Sequence, residues 1–303
     1  MIDINHVVAV DIGATKAAIA IVSNKLEVIK KTEVPTGSNS DIWSRIEKAT
    51  QLLIDSFNFQ IDGVGIASAG PINLKTGSIS PVNISNWREF PIVERFSKLL
   101  GASNIVLHGD AVALAHAEYK IGAGKGCTSM LGMVVSTGIG GGLIINGKVF
   151  NGISGNAGYF GHHSISYQSE VCNCGRSGCV ELFASGPKMV AYAKEIGWQG
   201  ISDDFQALAE SAKSGDQIAL TSINKGAQAL ANGIVNVLCI LDINTVVVGG
   251  GVTQAGAIYW DALSKHVQSE SQKVDFIKQV DLRKSELNRD AGLIGAALAV
   301  LDK

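Results

Sequence analysis

The stretch "HVVAVDIGATKAAIAIVSNKLEVIKKTEV" (residues 6–34) decides the fold. An apolar run, a turn built on Gly13 and a second apolar run predict two antiparallel strands, and a third strand follows a short turn. Next comes a helical pattern, "DIWSRIEKATQLLIDSF" (41–57), with Asp41 as the predicted N-cap. "GVGIASAG" (63–70) and "NIVLHGD" (104–110) read as short buried strands separated by a loop with Pro71 and Pro81. "DAVALAHAEYKI" (110–121) reads as a helix.

From Met130 the opening pattern returns in "MLGMVVSTGIGGGLIINGKVF" (130–150): an apolar strand, a turn of small hydroxyl residues and glycine, and a returning strand. A mostly helical stretch over 187–240, a buried strand in "INTVVVGGGV" (243–252) and a last helix in "RDAGLIGAALAVL" (289–301) complete the chain. Strands alternating with helices, in two halves each led by a hairpin, predict an α/β protein of two domains packed around a cleft. The first is expected over 1–120 with the helix of 290–303 returning to it. The second is expected over 121–289 and includes a loop at 161–181.

Bulk composition narrows the function. The 303 residues are 46% hydrophobic and 17% charged with a net charge of −2, which advertises neither a nucleic acid nor an anionic membrane as partner. The first residues lack the basic segment and cleavage site of a signal peptide, and apolar runs such as "IVNVLCIL" (234–241) are too short to span a bilayer. A soluble cytoplasmic protein is expected. Five cysteines, an odd number in a reducing compartment, argue against a disulfide framework. Cys127 and Cys239 read as small buried hydrophobes.

The other three cysteines crowd into "GHHSISYQSEVCNCGRSGCVE" (161–181) with His162 and His163. Their spacing, C-x-C-x4-C, is not the C-x-x-C of thioredoxin-like redox sites. His163 reads as an ordinary loop residue.

Three turns look built for phosphate: "DIGATK" (11–16), "STGIGGG" (136–142) and "VGGGV" (248–252). Glycine lets backbone N–H groups approach an anion, and threonine hydroxyls add donors. Tight hairpins needing positive φ would use the same residues. None completes G-x-G-x-x-G and none carries G-K-S/T, which disfavours a dinucleotide dehydrogenase and a P-loop NTPase. The turns instead resemble those of the actin-like ATPase (ribonuclease H-like) architecture, in which two hairpin turns clamp the phosphates of ATP. That resemblance implies Mg2+ at Asp11, phosphates along Gly13, Thr15 and Lys16, an opposing turn at Thr137 and Gly138, and the nucleoside along Gly249, Gly250 and Gly251.

Over nearly its whole length the chain resembles the ROK (repressor, open reading frame, kinase) family of bacterial sugar kinases. "DIGATK" is similar to the family's D-I-G-G-T-K, and "SAGPINLKTGSISPVNISNW" (68–87) to its sugar-loop segment. "GDAVALAHAEYKIGAGKG", "STGIGGG", "GNAGYFGH", "CNCGRSGCVE" and "VVVGGGV" follow in the family's order. The resemblance implies a structural Zn2+ on His162, Cys172, Cys174 and Cys179, and four nitrogen and sulfur ligands suit a closed tetrahedral zinc site. It implies Asp110 as the base that takes the proton of a sugar 6-OH, a position that would also serve as a helix N-cap. It implies a sugar pocket lined by Gly70, Asn83, Asp110, Tyr159, His162 and Glu181, with Asn83 and Glu181 bonding sugar hydroxyls.

Three departures qualify the match. Gly109 stands where many members have Asn, Tyr159 where glucokinases have Glu, and Ala14 where the motif has its second Gly. Tyr159 weakens the case for glucose and could instead face an N-acetyl or other substituted C2, which leaves N-acetylmannosamine and glucose as the two foremost sugars. The expected activity is therefore an ATP- and Mg2+-dependent 6-kinase of a hexose or N-acetylhexosamine, in a homodimer or homotetramer. A non-catalytic sugar sensor is the alternative. A DNA-binding repressor is disfavoured by the net charge and by a phosphate turn that begins at Asp11.

Overall fold

Each half of the chain builds one five-stranded sheet from its hairpin outward. The computed structural model describes residues 5–13, 15–37, 41–82, 84–167, 170–277, 279–287 and 290–302. It divides into unit 1 (residues 1–121, 149–157 and 289–303) and unit 2 (122–148 and 158–288).

In unit 1 the strands are β1 (His6–Ile12), β2 (Lys16–Ser23), β3 (Val28–Pro35), β4 (Val64–Ser68) and β7 (Ile105–Gly109), ordered β3-β2-β1-β4-β7. β1 and β2 pair antiparallel, whereas β4 and β7 extend the sheet in parallel. The parallel steps need crossovers, which α1 (Ile42–Asp55) and α2 (Ile92–Leu100) supply. Asp41 stands at the N-cap position of α1, but its side chain makes no capping bond. Its backbone (φ −105°, ψ 24°) lies outside the extended region from which a cap side chain folds back.

Strand alternation gives the sheet two different faces. Val8, Val10, Ile12, Ile19 and Ile21 pack with α1 and α2 on one side. On the other, Ala9, Ala18, Ala20 and Ala67 leave room for α9 (Ala291–Leu301) to lie close to the strands. α3 (Asp110–Ile121) starts directly from the end of β7. A two-stranded hairpin, β5 (Ile72–Asn73) with β6 (Ser78–Ile79), stands apart from the main sheet. Residues 149–157 pack with unit 1 although both flanking segments belong to unit 2. The Asn156 amide accepts the N–H of Ile72 (2.9 Å) and donates to its carbonyl (2.7 Å).

Unit 2 repeats the plan. Its strands β8 (Met130–Val135), β9 (Ile139–Ile145), β10 (Lys148–Phe150), β11 (Thr245–Gly249) and β12 (Asp281–Lys284) are ordered β10-β9-β8-β11-β12. The inner hairpin is again antiparallel and the outer steps again parallel. Helices α4 (Glu181–Ala184), α5 (Gly186–Glu195), α6 (Phe205–Lys213), α7 (Gln217–Leu241) and α8 (Ala257–Ser271) supply the rest of the core. Asp204 caps α6 through the Ala207 N–H (2.8 Å), and Asp216 caps α7 through Ile218 and Ala219. Cys127 and Cys239 are half-buried rather than buried, the latter because it lies near the end of α7, where Ile240 is exposed. Among the described residues, no helix is long and apolar enough to cross a membrane.

Candidate functional site

In unit 1 the candidate groups gather at the ends of β1 and β7. The Gly13 N–H donates to the Lys16 carbonyl (3.0 Å), closing the turn. Thr36, buried just beyond β3, ties that turn down: its hydroxyl donates to the Gly13 carbonyl (2.8 Å) and its N–H to the Thr15 carbonyl (3.0 Å). Thr15 and Lys16 are exposed, and the Lys16 ammonium meets Glu33 at 2.8 Å. Ala14 and Asn83 lie outside the described residues.

Asp110 opens α3, and its carboxylate accepts the N–H of Ala111 (2.7 Å). Burial raises its pKa against the opposing pull of backbone donors. Asp11 is pushed up to about 7, first by burial and then by the charge of Asp110, while Lys16 and Lys31 partly offset both. Two carboxyl groups thus share one low-dielectric corner, where a divalent cation would stabilise both as anions. Behind them, His108 on β7 meets the Asn151 carbonyl oxygen through Nδ1 (3.1 Å), and His116 on α3 meets Asp302 (3.1 Å). Gly70 is half-buried between the end of β4 and the start of β5.

In unit 2 the turn between β8 and β9 is closed by Ser136, whose N–H donates to the Gly138 carbonyl (2.9 Å). Glu181 supports it from below: Oε2 accepts the N–H of Ile139 at 2.8 Å. A Cβ on residue 138 would sit 2.7 Å from that same oxygen, so Gly138 leaves the space the carboxylate occupies. Beside the turn opens a cavity of about 470 Å3 between Thr137, Pro187, Phe205, Gln206, Gly251 and Gln254. Its acidic rim is already engaged, with Asp203 paired to Lys194, Glu210 to Lys213, and Asp204 capping α6. Gly251 lines this cavity; Gly249 instead ends β11, and Gly250 packs on the backbone of Val135.

Only residues 136–138 of "STGIGGG" form the turn. Gly140 to Gly142 belong to β9, and a Cβ on Gly141 would lie 2.9 Å from the Gly158 carbonyl. Those glycines let the segment carrying Tyr159 and His162 lie directly across the strand.

That segment leads into the cysteine loop. A 3-10 turn over Phe160–His162 presents His162, whose Nδ1 lies 3.5 Å from Cys172 Sγ. Cys174 and Cys179 Sγ are 3.5 Å apart, and all four donor atoms lie within 4.8 Å of one another. A tetrahedral zinc site with bonds of ~2.0–2.3 Å has edges of roughly 3.6–3.8 Å, so the set fits the ion. Without a cation the crowding is unfavourable: burial, then the neighbouring sulfurs, push the Cys179 thiol up to about 12. His163 is not an ordinary loop residue. Its Nδ1 meets the Phe160 carbonyl (2.7 Å), and its ring packs on Phe160 at 4.7 Å because residue 233 on α7 is glycine. Tyr159 is exposed and rests on His162, with ring centroids 4.6 Å apart.

Sequence reasoning missed Thr36, Asn151 and Asn156. Each acts through a contact with a residue far along the chain; Thr36 and Asn151 stand in no recognisable spacing, and Asn156, though inside "GNAGYFGH", shows nothing there of its partner Ile72.

The model of the ROK family matches residues 7–303. The chain is 33% identical over 293 residues to an N-acetylmannosamine kinase of Salmonella typhi, covering 96% of both chains. A ROK hexokinase structure from Thermus thermophilus superposes with a TM-score of 0.86 at 30% identity, covering 97% of each chain. A ROK family glucokinase from Streptomyces griseus, solved with glucose and AMPPNP, gives 0.85 at 28% identity and covers 98% of this chain and all of that one. The family model spans both five-stranded sheets, both hairpin turns and the cysteine loop, and the chain belongs to the ROK family.

Proposed function

We propose that this chain is an ATP-dependent sugar kinase that phosphorylates the 6-OH of an N-acetylhexosamine or hexose, N-acetylmannosamine foremost. The observation that carries the proposal is the half-buried carboxylate pair, Asp11 and Asp110, at the ends of two strands of one sheet. Relatives named N-acetylmannosamine kinase at 33% identity support the sugar, as does Tyr159 in place of a glucose-binding glutamate.

Phosphoryl transfer asks little covalent chemistry of a protein: positioning, charge stabilisation and removal of one proton. Asp110 accepts the proton of the attacking hydroxyl. Its pKa, raised by burial, brings a carboxylate closer to the basicity that general-base work needs near neutral pH. Lys16 and the backbone amides of the two turns bind phosphate oxygens, with Thr137 adding a hydroxyl. The cavity beside Thr137 and Gly251 takes the nucleoside. Asp11 would hold Mg2+, which supplies charge neutralisation at the phosphates. His162, Cys172, Cys174 and Cys179 would hold a structural Zn2+ with no open position. His162 turns Nδ1 to the cysteines, leaving Nε2 with Tyr159 and Glu181 to face the sugar.

Asp110→Asn keeps the size of the side chain and removes the base. Its kcat should fall about a thousandfold while N-acetylmannosamine binding, followed by calorimetry, stays within a few-fold of the parent. A variant with near-normal kcat would overturn the assignment, and silence of the parent across a sugar panel would overturn the kinase itself.

A further inference from the structure

The support beneath Asp11 comes from the far end of the chain. Gly292 is the second residue of α9, and a Cβ built on it would overlap Asp11 Oδ2 and lie only 2.7 Å from Cγ. The first turn of α9 therefore lies directly against both the carboxylate and its carbon. Gly292 does not have a positive φ, so its backbone gives no reason for glycine. Space for the Asp11 carboxylate is the reason the geometry provides.

The helix that carries Gly292 is locked in place by three other contacts. The Asp290 carboxylate, at the N-cap of α9, meets the Lys31 ammonium on β3 at 2.9 Å. A Cβ on Gly295, one turn along, would overlap the Ala113 carbonyl on α3, the helix that Asp110 opens. A Cβ on Gly65 of β4 would overlap the Ala296 carbonyl. α9 thus touches β1 at Asp11, α3 one turn beyond Asp110, and the strand between β1 and β7. It cannot slide or rotate away from Asp11 without breaking backbone-to-backbone packing elsewhere.

We infer that Gly292 is a positioning residue for the cation-binding carboxylate: α9 is held rigidly on the sheet, and the missing side chain at 292 fixes where Asp11 points. A methyl group there meets a fixed helix on one side and the movable end of a short side chain on the other. The carboxylate yields, so the damage falls on the cation site before it falls on the fold. This rests on the reading of Asp11 as the residue that would hold Mg2+, but the steric part is testable without it.

The decisive experiment is a double-mutant cycle on unfolding midpoints, using Gly292→Ala, Asp11→Ala and the pair together. Gly292→Ala should lower the midpoint by about 4 °C or more in the parent and by less than about 1 °C in the Asp11→Ala background, where the obstructing carboxylate is gone. An equal loss in both backgrounds overturns the inference. Should Gly292→Ala alone fail to fold, recovery in the double variant supports it and a second failure overturns it. The functional readout is Mg2+-dependent thermal stabilisation by AMPPNP, whose half-saturating Mg2+ should rise at least about tenfold in Gly292→Ala. Unchanged half-saturation in a folded variant overturns the positioning role. Absence of any Mg2+ effect in the parent would instead count against the assignment of Asp11, leaving the stability cycle to judge Gly292.

Discussion

The two units share a sheet and differ in what they hang on it. β3-β2-β1-β4-β7 and β10-β9-β8-β11-β12 have the same order and the same pattern of antiparallel and parallel steps. Each hairpin also seats a carboxylate against a glycine, Asp11 on Gly292 and Glu181 on Gly138. The uses diverge. Unit 1 places acidic groups at its strand ends and a buried histidine pair behind them. Unit 2 offers backbone amides, hydroxyls and a cysteine loop. A duplicated backbone fixes where a turn points; under the proposed function, the charges added to each copy would decide whether it handles metal and proton or only phosphate and nucleobase.

The largest test of that asymmetry removes the metal. Structural zinc contributes on the order of 10 kcal/mol of binding free energy in small domains, and here that coupling would belong to one unit, whose His162, Cys172, Cys174 and Cys179 fit the ion. Chelation of the purified protein should release about one zinc per chain. Amide exchange should then accelerate through 160–181 and leave the β1–β4 ladder of unit 1 protected. Equal loss of protection in both units would break the comparison, as would a protein that never held zinc.

Acid should pick out the other unit. His108 is buried, and burial, then the neighbouring His116, lower its pKa from 6.5 to about 4 despite the bond to Asn151. The unfolded chain binds that proton below pH 6.5 and the folded chain only below about 4. Stability from His108 is therefore fully present above pH 6.5 and drains away as pH falls to about 4, by about 3 kcal/mol. His116, also lowered by burial, works in the same direction, with Asp302 and Lys120 facing it. Asp11 works the opposite way, because its raised pKa lets the fold take up a proton as pH drops below about 7. Comparing the parent with His108→Gln cancels Asp11. Between pH 7 and 4.5 the variant should lose about 2 kcal/mol less unfolding free energy in urea, and an identical pH profile would refute the assignment.

These contrasts were unevenly legible in the sequence. The hairpins announce themselves because apolar runs on either side of a glycine turn are local patterns, and so does a C-x-C-x4-C cluster. Glycine was the ambiguous letter. In "STGIGGG" it signals a phosphate turn, yet Gly141 serves the packing of the segment before His162. In "RDAGLIGAALAVL" it reads as an ordinary helix residue, yet Gly292 makes room for Asp11. A glycine's partner across space leaves no mark on its neighbours in the chain, and the same holds for Asn151 opposite His108 and Asn156 opposite Ile72.

The smallest effect is the most discriminating. Glu181 accepts the Ile139 N–H through Oε2, so one oxygen holds the turn while, under the proposed function, Oε1 would meet a sugar hydroxyl. Glu181→Gln keeps a carbonyl oxygen for the amide and puts an NH2 group where the sugar would meet an acceptor. Stability should stay within about 1 kcal/mol of the parent while the KM for N-acetylmannosamine rises about tenfold and the KM for ATP holds. Glu181→Ala removes both oxygens and strands the Ile139 N–H, at a cost of about 1–3 kcal/mol, and the loosened turn should raise the KM for ATP as well. If Glu181→Gln disturbs ATP and sugar alike, Glu181 is a strut for the turn alone. If the two constants separate, the carboxylate of unit 2 reads the sugar and holds the phosphate turn by hydrogen bonds, where Asp11 in unit 1 acts by charge.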